Sequence, residues 1–336
     1  MDAKITKKRL SLMLSYDWFK IVLTAVALIV VWALVFTTSA TRLTSAQEFS
    51  IFNYTGTFTG SRFNYLPSEL RKNESFSYDV LKINTTDLTL AKGQDDSLLS
   101  ARMTVNDVDA IFIADTTEGV ETNLTYQDEN GETVEFTPTY LQRFLMSYAY
   151  SVADFDDDEN GYLNQMEAYL APYYNGNVKT GSLDKEYTEK EFRSRIKRLK
   201  DKRFRKEKEI RAGLKEEEAR IEKLKENYEK FTGFLEDGVV ELEETTYLIQ
   251  DAKGNIKEVT GKFSINLSPN KNIEKLRAVS YYKKTEKDEE GIEHGVPTTE
   301  NLQLVLVNRL GEKYSYGLFE TLAFANHIIE DYILVQ

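Results

Sequence analysis

The chain has 336 residues, 41% hydrophobic and 29% charged, with a formal net charge of -12. That is room for one large or two ordinary domains with a real core, and the acid excess argues against a nucleic-acid partner. The absence of cysteine excludes disulfides and thiolate metal sites, and two histidines, His294 and His327, are too few for a multi-histidine zinc centre.

Residues 21–36 are unbroken apolar sequence, and with Trp18, Phe19 and Lys20 at its start the segment 18–38 is long enough to cross a bilayer. Lys4, Lys7, Lys8, Arg9 and Lys20 crowd its N-terminal side. The positive-inside rule therefore predicts a cytoplasmic tail over 1–17 and an extracellular remainder. Thr38-Ser39-Ala40 offers a signal-peptidase site, but the apolar run exceeds the roughly 7 to 15 residues of a signal peptide, so an uncleaved single-pass anchor in the cell membrane is expected. The chain beyond residue 36 carries -15.

Residues 41–138 read as the first part of an α/β domain. Residues 41–75 show little periodicity, Phe76–Ile83 alternates like a strand, and Asp95–Asn106 is helical with Leu98, Leu99 and Met103 on one side. Ala110–Ala114 is a short apolar strand of the kind buried on both faces of a parallel sheet. Leu124–Phe136 brackets Asp128-Glu129-Asn130-Gly131, a hairpin signal. The stretch Val105–Asp115 resembles the place in bacterial extracytoplasmic solute-binding proteins where a helix ends and a strand delivers the chain to the cleft. That resemblance implies a small-molecule ligand near the Asp115–Gly119 loop.

The most specific motif is residues 156–167, Asp-Asp-Asp-Glu-Asn-Gly-Tyr-Leu-Asn-Gln-Met-Glu. A calcium loop of this length takes oxygen side chains at positions 1, 3 and 5, glycine at 6, a backbone carbonyl at 7, a water-holding polar group at 9 and a bidentate glutamate at 12. Asp156, Asp158, Asn160, Gly161, Tyr162, Asn164 and Glu167 meet these in turn. Upstream, Leu141, Phe144, Leu145, Tyr148 and Val152 form one helical stripe; downstream, Leu163, Met166, Leu170 and Tyr173 form another. Residues 139–174 thus resemble the EF-hand helix-loop-helix. The resemblance implies one Ca2+, held by Asp156, Asp158, Asn160, the Tyr162 carbonyl, Asn164 through water, and Glu167. An acidic Asn-Gly turn without an ion is the other reading.

From 188 to 236 there is no proline and charges of both signs alternate, which predicts a long charged helix opened by a Thr188/Glu191 capping box. Leu214, Ile221, Leu224, Tyr228, Phe231 and Leu235 mark an apolar seam. The seam serves either the chain's own domain or a coiled coil with a protein partner or second copy, and a break at Gly213 would make a helical hairpin. The basic first half, Arg193–Arg211, offers a third use, contact with a polyanionic surface. Residues 238–336 return to the α/β domain: a hairpin of Val239–Ile249 and Ile256–Leu267, a helix over Asn272–Tyr282, a charged loop over Lys283–Pro297, a core strand at Leu302–Val307 and a helix over Tyr316–Leu334.

The expected fold is therefore α+β or α/β: a mixed-sheet extracytoplasmic domain with an inserted EF-hand and a long charged helix, after one transmembrane helix. No nucleophile elbow, Walker loop, dinucleotide-binding glycine turn or HEXXH occurs, so no catalytic residue and no enzymatic activity is assigned.

Overall fold

The computed structural model describes residues 7–39, 43, 47–54, 57–58, 61–73, 76, 80–91, 93–117, 119–120, 123–127, 131–156, 161–250, 256–268, 280–287, 293–298, 300–308 and 320–334. They fall into two compact units that divide after Leu43.

The first unit is one helix, α1 (Lys7–Ser39). Within it Trp18–Thr37, 20 residues, is long and apolar enough to cross a membrane, at 1.5 Å per residue a span of ~30 Å. Its threonines bond within the helix: the Thr24 and Thr37 hydroxyls donate to the Lys20 and Ala33 carbonyls, each at 2.8 Å. The helix starts well before residue 18, so the expected tail is helical from Lys7.

The second unit runs, in order, β1 (Glu48–Asn53), β2 (Thr57–Phe58), α2 (Leu66–Lys72), β3 (Lys82–Asp87), α3 (Asp95–Thr104), β4 (Ala110–Ala114), β5 (Leu124–Gln127), β6 (Thr133–Phe136), α4 (Tyr140–Tyr148), α5 (Tyr162–Leu170), α6 (Lys185–Leu199), α7 (Glu207–Glu236), β7 (Glu241–Gln250), β8 (Ile256–Asn266), β9 (Ser280–Lys287), β10 (Glu293–Thr298), β11 (Leu302–Leu306) and α8 (Glu320–Ile328). Six strands form one mixed sheet in the order β3-β1-β4-β11-β8-β7. β1 is parallel to both β3 and β4, whereas β11 is antiparallel to β4 and to β8. Ala110–Ala114 is fully buried as its composition predicts, but only one of its two neighbours is parallel.

Two cores flank the sheet. On one face Phe49, Ile51, Phe112 and Leu304 pack with Leu66 of α2, Met166 of α5, Leu224 and Phe231 of α7, and Phe324 of α8. On the other, Phe52, Ile111, Ile113 and Val305 pack with Leu99 of α3 and Leu141, Phe144 and Leu145 of α4. Alternate residues of β1 and β4 divide between the cores because side chains along a strand point to opposite faces. In β8 the alternation is broken: Glu243 pairs with Ser264 but Glu244 with Lys262, leaving Phe263 as the extra residue of a bulge. Phe263 therefore joins the second core while Ile265 lies in the first.

Several expectations need correction. β1 falls in the stretch with no periodic signal, because it is buried on both faces and includes Ser50, whose hydroxyl donates to Asp107 Oδ1 (2.8 Å). The strand expected over Phe76–Ile83 is displaced to Lys82–Asp87, residues 77–79 lying outside the described residues. The Lys283–Pro297 loop is instead taken up largely by β9 and β10, in a three-stranded sheet with β2. Of the helix expected over Asn272–Tyr282, residues 280–282 belong to β9 and the rest lie outside the described residues. The last helix is α8 followed by a π turn, Ile329–Ile333, residues 316–319 lying outside the described residues.

The charged segment is two helices. α6 is capped by Asp184, whose carboxylate accepts from the Tyr187 N–H at 2.9 Å, rather than by Thr188, which is buried in its first turn. It ends at Lys200 in the left-handed conformation (φ 51). α7 passes straight through Gly213, and Phe204 and Phe192 pack where a side chain there would be. Ile221, Leu224, Tyr228 and Phe231 are buried in the first core. The middle of the seam is thus used by the chain's own domain.

A candidate calcium loop at a fork in the sheet

β11 and β8 pair only at Gln303↔Asn266 and Leu304↔Ile265. Beyond that point the strands part and Val152–Phe155 enters between them. Val152 bridges Val307, the Ala153 N–H donates to the Leu306 carbonyl (2.9 Å), and the Phe155 N–H donates to the Lys262 carbonyl (2.8 Å). The loop of residues 156–167 is therefore entered from the sheet and not from a helix. α4 ends at Tyr148, with a 3-10 turn over Ala149–Ser151. Leu141, Phe144 and Leu145 do form a buried helical stripe, but Val152 belongs to the sheet, because the open edges of β11 and β8 offer its neighbours backbone partners.

After the fork the chain folds back on itself. Asp154 Oδ1 accepts from the Asp156 N–H at 3.0 Å, and the Asp154 carbonyl accepts from the Tyr162 N–H. Residues 157–160, which include Asp158 and Asn160, lie outside the described residues. The Asp156 carboxylate lies over β8: a Cβ built on Gly261 would stand 3.1 Å from Asp156 Oδ2.

On the far side Gly161 caps α5 at φ -56, ψ 141 and Tyr162 opens the helix. The Tyr162 ring is buried in the first core, its hydroxyl 2.5 Å from Thr321 Oγ1, and burial pushes its phenol well above the usual range. Asn164 lies in the first turn of α5. Glu167, five residues into the helix and ~7.5 Å along its axis from Tyr162, accepts from the Tyr228 hydroxyl of α7 at 3.0 Å. Burial, then the hydrogen bond and charge of Glu167, push the Tyr228 phenol up. Among the described residues no group of three His, Cys, Asp or Glu converges as a ready cation cluster. Asp154 is the residue that reading by loop position misses: it lies outside the twelve, yet it closes the loop.

The Asp115 region also has a defined setting. Asp115 follows β4, its N–H donating to the Asn301 carbonyl (2.8 Å), and its Oδ1 is buried without a partner. Burial pushes the carboxyl up against a hydrogen bond from Thr139. Glu243, on β7, is pushed up by burial and then by Asp115, while Asn266 donates to its Oε2 (3.0 Å). Gly119 has φ +80 and stands so close to the Tyr140 hydroxyl that a Cβ would meet it at 2.9 Å. A cleft of about 210 Å³ lies elsewhere, between α7 and α8, lined in part by Lys223, Asn227, Asn326 and His327. There Asn326 Nδ2 donates to the Asn227 carbonyl (2.9 Å), and His327 Nδ1 is 3.1 Å from Asp331. Burial pulls the His327 pKa down against Asp331, Glu69 and Glu330. Nothing in the spacing of these residues along the chain marks this cleft.

No protein-family model matches this chain, and neither a curated protein nor a solved structure matches it.

Proposed function

We propose that the chain is a membrane-anchored extracytoplasmic protein that binds one calcium ion in the loop of residues 156–167, with the ion in a structural role. The observation that carries this reading is the ligand series itself, strung between two anchored ends. Asp156 is tied to the sheet fork through Phe155, and Glu167 is tied to α7 through Tyr228. An ion held by Asp156, Asp158, Asn160, Tyr162, Asn164 and Glu167 links β8 to α5 and α7. It also relieves the repulsion among Asp154, Asp156, Asp157, Asp158 and Glu159, five acids within six residues. Entry from a strand makes this a variant of the EF-hand arrangement, and α5 supplies its exiting helix. α1 is read as the anchor. The parallel β1-β3-β4 part, with Asp115 at the carboxyl end of β4, is read as a ligand-binding or transporter-accessory module, since open parallel sheets place ligands there.

The test is a calorimetric calcium titration of residues 44–336, whose described cores draw on nothing before Phe49, beside an Asp156→Asn plus Glu167→Gln variant that keeps an acceptor for Tyr228. An extracellular module with a dissociation constant of about 0.1 to 1 mM gains about 0.6 to 1.8 kcal/mol at ~2 mM calcium. One ion bound by the parent and not the variant, with a rise in melting temperature, is the expected result. No heat and no thermal shift in the parent would sink the reading.

A further inference from the structure

The turn joining α6 to α7 departs sharply from the acidity of the chain. Residues 197–208 hold eight basic side chains and two acidic ones, so the other 324 residues carry -18. Both acids are engaged: Asp201 by Arg203 (2.7 Å), Glu207 by Arg193 (2.6 Å) and Arg211 (3.5 Å). Of the rest, Lys197, Lys200, Lys202, Arg205, Lys206 and Lys208 are all exposed, and only Arg205 and Lys206 feel a neighbouring carboxylate, that of Glu209. A run of like charge this dense is unfavourable to hold together unless an anion neutralises it.

The turn is nonetheless ordered. Asp201 Oδ1 accepts from the Arg203 N–H (2.9 Å), Phe204 packs edge-on against Phe192 (5.2 Å between centroids), and Glu209 Oε2 accepts from the Arg205 and Lys206 N–H groups, each at 2.9 Å. Leu199, 39% exposed, stands among the cations. An apolar side chain within a basic tip suits a surface with charged headgroups over hydrocarbon better than it suits a soluble polymer.

We propose that the α6–α7 turn docks on the anionic headgroups of a lipid bilayer. This is independent of calcium. Each basic side chain near such a surface contributes a factor of about five in partitioning, so six cations suffice to hold the domain at the surface.

The experiment is co-sedimentation of residues 44–336 with vesicles, in chelator so that calcium bridges nothing. One set is phosphatidylcholine alone; the other is a mixture of phosphatidylcholine and phosphatidylglycerol, which gives the surface a negative potential. The comparison is Lys200→Gln, Lys202→Gln, Lys206→Gln and Lys208→Gln combined, all at exposed positions, with its fold checked by melting temperature. Expected are binding only to the anionic vesicles, loss of binding at high salt, and a drop of at least a hundredfold in the variant. The proposal is overturned by equal binding to both vesicles, by no binding to either, by a folded variant that binds like the parent, or by capture of soluble inorganic polyphosphate without capture of vesicles.

Discussion

Replacing Glu217 by glutamine removes the carboxylate that joins α6 to α7. Glu217 is 1% exposed, between Arg195 at 5% and Arg220 at 2%. Its Oε1 accepts from Arg195 Nη1 (2.8 Å) and Arg220 Nη2 (2.6 Å), and its Oε2 from Arg220 Nε (3.0 Å) and Arg195 Nη2. Burial alone pushes the carboxyl up, but the Arg220 and Arg195 guanidinia outweigh it and hold the pKa at about 2. Against an unfolded value near 4.5, that is about 3 kcal/mol. Breaking a buried pair by removing one partner costs about 3 to 5 kcal/mol, in agreement. Because the folded pKa is depressed, this stability is fully present above about pH 4.5 and is lost as pH falls through about 2. Urea unfolding of residues 44–336 at neutral pH and at two acid points is the assay. Parent and variant should differ by about 3 kcal/mol at pH 7 and converge toward the acid end. A difference under about 1 kcal/mol at pH 7, or one that persists unchanged in acid, would refute the reasoning.

Gly213→Ala gains about 1 kcal/mol of helix propensity, but its methyl would lie 2.3 Å from Phe204 Cε1 and 2.9 Å from Phe192 Cζ. Overpacking of about 1 to 3 kcal/mol less that gain leaves a net loss of up to about 2 kcal/mol, read as a lower urea midpoint. Thr139→Ala breaks the capping box of α4, in which Thr139 Oγ1 accepts from the Gln142 N–H (3.1 Å), for about 1 kcal/mol. It should also raise the Asp115 pKa in an NMR titration, since the Thr139 hydrogen bond offsets burial there. Tyr228→Phe deletes the hydrogen bond to Glu167 at a cost of about 1.5 to 3 kcal/mol in denaturant unfolding. If Glu167 is a calcium ligand, freeing its oxygen should tighten calcium binding in the same calorimeter.

What could be read from the chain follows the distance over which each pattern acts. The hairpins β5-β6 and β7-β8 and the strands β4 and β11 were legible because turn residues and apolar runs act between near neighbours. The membrane-length helix was legible for the same reason, as was the middle of the α7 seam. β1 was not: a strand buried on both faces has no alternation to show, and its Ser50 reads as polar until Asp107 is brought beside its hydroxyl. The candidate loop divides the same way. Its ligand series is a local pattern and needs only the order of residues 156–167. Its setting is not local, because Val152–Phe155 becomes extended only where β11 and β8 part, and Glu167 meets Tyr228 only once α7 lies across the first core. By itself the sequence determined where the apolar helix, the acidic loop and the basic turn stand along the chain. The tertiary structure alone decided which backbone edges stay open, since that depends on segments more than 100 residues apart, such as Val152 and Val307, being packed together, and it decided that Arg195 of α6 meets Glu217 of α7 in burial once the two helices pack.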